Sequence, residues 1–276
     1  MSLTPRLTQP RRWRSLAVAG ASVSLAMAAP AMADMVRSPS ITLAMPNANL
    51  WKVQDQGGEA GEAGVVQGSS PGVTYLAELT LLQGHYVAAV DLYRKGQTAL
   101  ALELARHPEQ EGMLAAVVES LAAKGAKDVS PATVVLVKTL AAGASIEDVQ
   151  VALSAVQLGI EAAMAAEKDD VQVRFHAMVA VLQAAAEEYA GSITDGKVAD
   201  LMAYHEANAF VGLARRQAGF LMGEPATMNP AARALDAMTA ADEAFSDMSL
   251  VEVEARDPAI LLTVAARVEL IASSVR

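Results

Sequence analysis

The residues best suited to chemistry in this chain are its four histidines, His85, His107, His176 and His205, together with the glutamates that neighbour them along the sequence. Glu78 lies seven residues before His85, Glu111 follows His107 by four, Glu187 follows His176 by eleven, and Glu206 adjoins His205. On a helix the first three spacings keep both groups on nearly one face. Imidazole with carboxylate, in the absence of thiolate, is a donor set that suits iron, zinc or copper(II), and the interior of a helical bundle is where such donors converge. The candidate ligands are therefore His85, His107, Glu111, His176, Glu187, His205 and Glu206, with iron, copper or zinc as the expected ion. Packing roles stay open beside this one: His107 suits the start of a helix, and His176 suits a hydrogen-bonded place in a core.

Other chemistries find no support in the residue pattern. The chain has no cysteine, which excludes thiolate catalysis, iron–sulfur clusters, cysteine zinc sites and covalently attached c-type haem. No glutamate stands three residues before a histidine, as a ferritin-like di-iron centre requires. His205-Glu206-Ala207 continues to Asn208 and Ala209, so the zinc-protease signature is missing. Neither a Gly-x-Ser-x-Gly elbow nor a phosphate loop occurs, and the dispersed methionines read as core fillers. The expectation is a binding protein and not an enzyme.

The elements that must position these groups are helices, and the N-terminus bears on where they work. Arg6, Arg11, Arg12 and Arg14 precede an apolar run from Leu16 to Ala29 and then Ala31-Met32-Ala33. This has the form of a secretory signal peptide over residues 1–33, with cleavage before Asp34 and a periplasmic location expected. Removing it takes four arginines and no acids from 21 basic and 31 acidic residues, leaving a balance of −14. Such a surface repels nucleic acid. No later apolar run reaches membrane-spanning length, about 20 residues. Residues 34–71, with a glycine-rich stretch from Gln54, read as a flexible, disordered arm and linker, and residues 72–276 as one helical domain.

Within that domain, proline in the first turn marks helix starts at Ser130-Pro131, Asn229-Pro230 and Asp257-Pro258, and more weakly at His107-Pro108. Ser145 with Asp148 resembles a capping box. Apolar residues recur at three and four residue spacing, as in Leu76, Leu79, Tyr86, Val90 and Tyr93, and again in Phe175, Met178, Leu182, Ala185 and Tyr189. The pattern predicts helices near 74–94, 97–106, 108–124, 131–141, 146–167, 170–190, 199–221, 230–245 and 258–274. Short connections make neighbours antiparallel, so the fold class is all-α, an antiparallel bundle of eight or nine helices. Asp195-Gly196 is a turn signal that folds helix 170–190 back on helix 199–221. In that hairpin His176 and His205 lie about five residues out of level, roughly 7 Å.

Two resemblances add to this reading. Leu81 to Pro108 resembles one tetratricopeptide unit, with Gly84, Tyr86, Ala89, Leu92 and Tyr93 at its packing positions, although an array needs about three units. The segment "EEYAGSITDGKVADLMAYHEANAF" resembles the extracytoplasmic helical region of bacterial iron permease-type transporters and their stand-alone periplasmic relatives, through Tyr189, Asp195, Gly196, Lys197, Val198, Tyr204, Glu206, Ala207 and Phe210. Upstream, Gly84, His85, Leu92, Tyr93, His107, Pro108 and Glu111 match the Gly-His, Leu-Tyr and His-Pro-x-x-Glu pattern of those relatives. Ala203 and Leu104 depart from it, where an acid and a histidine are usual. The resemblance implies a metal-handling accessory with a transporter or other protein as partner. The alternative is a helical-hairpin module that binds a protein partner without metal.

Overall fold

The computed structural model describes residues 69–165, 167, 170–251 and 253–275. The expected signal peptide, residues 1–33, and nearly all of the expected arm, 34–71, lie outside these residues. Helices are α1 Pro71–Arg94, α2 Thr98–Gln110, α3 Met113–Ala123, α4 Ser130–Ala141, α5 Ile146–Ala165, α6 Val171–Gly191, α7 Leu201–Leu221, α8 Met228–Met238, the single turn α9 Ala241–Ala244, and α10 Ala259–Ala272. Between α6 and α7 lies a minimal hairpin of β1 Ile193–Thr194 and β2 Lys197–Val198. The all-α bundle is thus the observed fold.

The starts are chemically capped. The Asp170 carboxylate accepts hydrogen bonds from the N–H groups of Gln172 and Val173, and Asp200 does the same for Met202 and Ala203, relieving donors that no carbonyl of the helix can reach. Asp148 N–H donates to the Ser145 hydroxyl at 3.2 Å, the cap expected there. The Pro108 expectation fails. Pro108 lies inside α2, and the break comes at Gly112, whose φ of +83° is the left-handed value that glycine adopts without penalty. Residues 230–245 likewise divide into α8 and the turn α9.

The hairpin turn takes positive φ at both central residues, 52° at Asp195 and 76° at Gly196. This is the twist a two-residue connection between antiparallel strands demands. Backbone bonds from Val198 N–H to Val253 O and from Ala255 N–H to Gly196 O add the 253–255 segment beside it.

The centre of the bundle is α1. Sixteen of its twenty-four residues are buried, because α2, α3, α5, α6 and α7 all pack against it. A helix enclosed on every side cannot be amphipathic, and the apolar stripe seen in its sequence is only the part that happens to be periodic. Gly84 explains how α7 comes so close. A Cβ at this position would stand 2.3 Å from two carbons of the Phe210 ring, a distance atoms never tolerate, so the absent side chain is what lets the ring seat against the α1 backbone. Gly84→Ala is expected to lower unfolding free energy by about 1–3 kcal/mol, the usual cost of overpacking a core. Combining it with Phe210→Leu should cost less than the sum of the two single changes. Urea denaturation of the four proteins measures both.

Candidate functional site

Below and above Gly84 the α1–α7 seam is polar, and its pairs show the two helices running antiparallel. The Gln217 amide donates to the Thr80 hydroxyl at 2.6 Å, which itself donates to Leu76 O. His85 Nε2 lies 3.0 Å from Glu206 Oε1, and His205 Nδ1 lies 2.9 Å from Asp91 Oδ2. His85, His205 and Glu206 are 2%, 1% and 5% exposed. These are charged or chargeable groups held almost out of water, where an unpaired ion is costly and pairing is the rule.

Hydrogen placement follows from the partners. His85 Nδ1 is 3.0 Å from Leu81 O; a carbonyl only accepts, so Nδ1 carries hydrogen. Nε2 then faces a carboxylate oxygen at ion-pair distance. His85 and Glu206 therefore form a close imidazole–carboxylate pair, flanked by the Phe210 ring at 5.8 Å from the imidazole.

The second pair is oriented differently. The Asp91 pKa is lowered to about 2, first by the hydrogen bond from His205 and then by Lys95, whose Nζ lies 3.1 Å from the same oxygen, against the opposing effect of burial. As an ionised acceptor Asp91 takes the Nδ1 hydrogen of His205. In the neutral imidazole this leaves the lone pair on Nε2, and Nε2 is sealed from solvent with no hydrogen-bond partner among the described residues. A carboxylate on one ring nitrogen, fixing the tautomer and raising the basicity of the other, is the arrangement that metal-ligating histidines commonly have.

The remaining expected ligands lie elsewhere. His107 Nδ1, near the end of α2, and Glu111 Oε1, just past it, are 3.4 Å apart at the bundle surface. The α1–α2 connection turns at Gly96, with His85 and His107 each eleven residues away, so the two are level in that hairpin although one is enclosed and the other faces outward. His176 does not meet His205. It lines a cleft of about 310 Å³ with Ser69, Val73, Gln183 and Glu269, between α6 and α10. The hairpin fixes level but not direction: His176 is turned towards α10, whereas His205 is turned towards α1. Glu187 is exposed, and the buried acid of that turn is its neighbour Glu188. Among the described residues, no three His, Asp or Glu side chains stand close enough to share one ion.

Sequence reasoning missed Asp91 and Lys95. Their signal was present, since Lys95, the residue that closes α1, follows Asp91 by four and Asp91 lies six beyond His85, but the histidine partner of Asp91 is 114 residues away. Also unforeseen was the work of Tyr189 and Tyr204. Their rings, 5.8 Å apart, each pack at 5.4 Å against Phe245. Tyr189 donates to carbonyl oxygens of Ala244 and Arg256, and Tyr204 to those of Ala244 and Asp247. Burial pushes the Tyr204 hydroxyl up to about 12.

Comparison with family models, curated proteins and solved structures finds no match. The site rests on its own geometry.

The sign of the Asp91 shift fixes an acid dependence. Its folded pKa is below the unfolded value near 3.8, so its contribution to stability is complete above that value and is lost as pH falls towards 2. Asp91→Asn is expected to be less stable than the parent protein at pH 7, with a shallower fall of stability between pH 4 and 2. Denaturant titrations across that range check it.

Proposed function

We propose that this protein is an extracytoplasmic helical accessory that takes a first-row transition ion at the α1–α7 seam, as part of iron or related metal handling. The observation that carries this reading is His205. Its Nδ1 is committed to an ionised aspartate, and its Nε2 is a buried nitrogen with no hydrogen-bond partner among the described residues. The protein supplies an oriented imidazole and not a finished cage, so the other ligands arrive with the ion or from the partner that delivers it. The His85–Glu206 pair stands on the same two helices, and His107–Glu111 offers a further imidazole–carboxylate pair nearer the surface. Export is the expectation from residues 1–33. Among the described residues, no helix is long and apolar enough to cross a membrane.

Titration of the mature, tag-free chain with zinc, copper(II) and iron tests the reading. His205→Ala is expected to weaken binding by at least about tenfold, since an imidazole ligand or its orienting partner is typically worth ten to a hundredfold in affinity. His176→Ala is expected to leave binding unchanged. Equal affinity in His205→Ala and the parent protein ends the proposal.

One surface favours the second reading, a module for a protein partner. Along α5, Val151, Ala155, Leu158 and Ala162 are all exposed, the two larger ones at 71% and 67%. Their spacing of four, three and four makes a continuous apolar stripe, of the kind that helices use to dock on one another. Under this reading Val151→Glu with Leu158→Glu leaves thermal stability intact and abolishes partner capture, and metal chelation has no effect on capture. Pull-downs with and without chelator read this out.

A further inference from the structure

Between α9 and the strand-like segment at 253–255 the chain runs irregularly from Phe245 to Val251. A few anchors hold it. The Tyr204 hydroxyl donates to Asp247 O at 2.8 Å, Lys95 Nζ donates to Met248 O at 3.1 Å, and Phe245 is wedged against the rings of Tyr189 and Tyr204. Asp247 accepts the N–H of Ser249 in a local turn. Ser246, Asp247, Ser249 and Val251 are exposed, and Met248 and Leu250 are half-buried against the core.

Two of these anchors belong to the Asp91–His205 pair. Lys95 Nζ spans from Met248 O to Asp91 Oδ2, at 3.1 Å from each. Tyr204 meets the His205 ring edge-on at 6.1 Å while its hydroxyl grips the segment. The segment is thus tied directly to the ring neighbour of His205 and to the cation that shares its carboxylate. We propose that residues 245–251 form a lid over the Asp91–His205 pair, latched by Tyr204 and Lys95, and that lifting it is what admits a ligand to His205 Nε2.

The inference rests on the metal reading for its purpose, but its physical content does not. A short irregular segment held by few bonds opens at lower cost than the helices beneath it. Opening releases Lys95 from one of its two acceptors and removes the hydroxyl anchor from the ring beside His205. The imidazole then meets solvent while α1 and α7 stay packed at Gly84. His85, deeper along the same seam beside Phe210, stays covered. Entry of an ion is thereby separated from unfolding of the bundle.

The test labels unprotonated imidazole nitrogens in the full chain with diethyl pyrocarbonate and follows each histidine by mass spectrometry, without metal. Tyr204→Phe and Lys95→Met each remove one latch. Each is expected to raise the labelling rate of His205 about fivefold, the factor that one hydrogen bond of ordinary net strength represents, with the rate at His85 unchanged. Unchanged labelling of His205 in both variants overturns the lid. So does a rise that His85 shares equally, because that reports unfolding of the bundle. Selective labelling with no zinc, copper or iron binding upholds the lid and removes only its assigned purpose.

Discussion

The packing of the Phe210 ring onto the bare backbone at Gly84 is the contact on which the candidate site depends. It sets how close α1 and α7 lie, and so whether imidazoles and carboxylates on the two helices meet directly. With the helices one side chain further apart, His85 could not lie 3.0 Å from Glu206, nor His205 2.9 Å from Asp91. The glycine carries a helix-propensity penalty of about 1 kcal/mol in such a position, and the aromatic burial it permits offsets that cost.

Polar groups in such a seam are a poor route to stability. Buried ion pairs commonly contribute no more than apolar residues of the same volume, because desolvation consumes what attraction returns. They do specify register. Sliding α7 along α1 by a turn would separate both histidines from their carboxylates, so the pairs favour one alignment and penalise the rest. The seam therefore serves the fold as a registration device whether or not an ion visits it. The unspent Nε2 of His205, like the Oε1 of Gln217 further along the seam, is a buried polar atom that registration alone does not call for.

Most of the helices were legible in the sequence because capping residues and three to four residue spacing are local signals. Ser145 is a direct instance: its hydroxyl accepts the Asp148 N–H, and α5 begins at Ile146, the predicted start. Pro108 misled because proline marks a start only when the preceding residues are not already helical, and here α2 carries through it. The site was legible in composition and not in geometry. His85, His205 and Glu206 were named, but Asp91 was not, since its role depends on a helix more than a hundred residues later. His176 was counted about five residues out of level with His205, and in the fold it lines a cleft with Glu269 of α10. Level follows from counting residues to the turn, while direction depends on which neighbours claim each face.

The enclosed position of α1 has a bearing on how the chain acquires its shape. This is the first of the described helices to leave the ribosome, yet α7, which covers Gly84 and supplies both buried acid–base partners, is synthesised more than a hundred residues later. Contacts so distant in sequence slow folding. Until they form, the face of α1 that α7 will cover, with Gly84 and His85 on it, stands exposed on an otherwise assembled bundle.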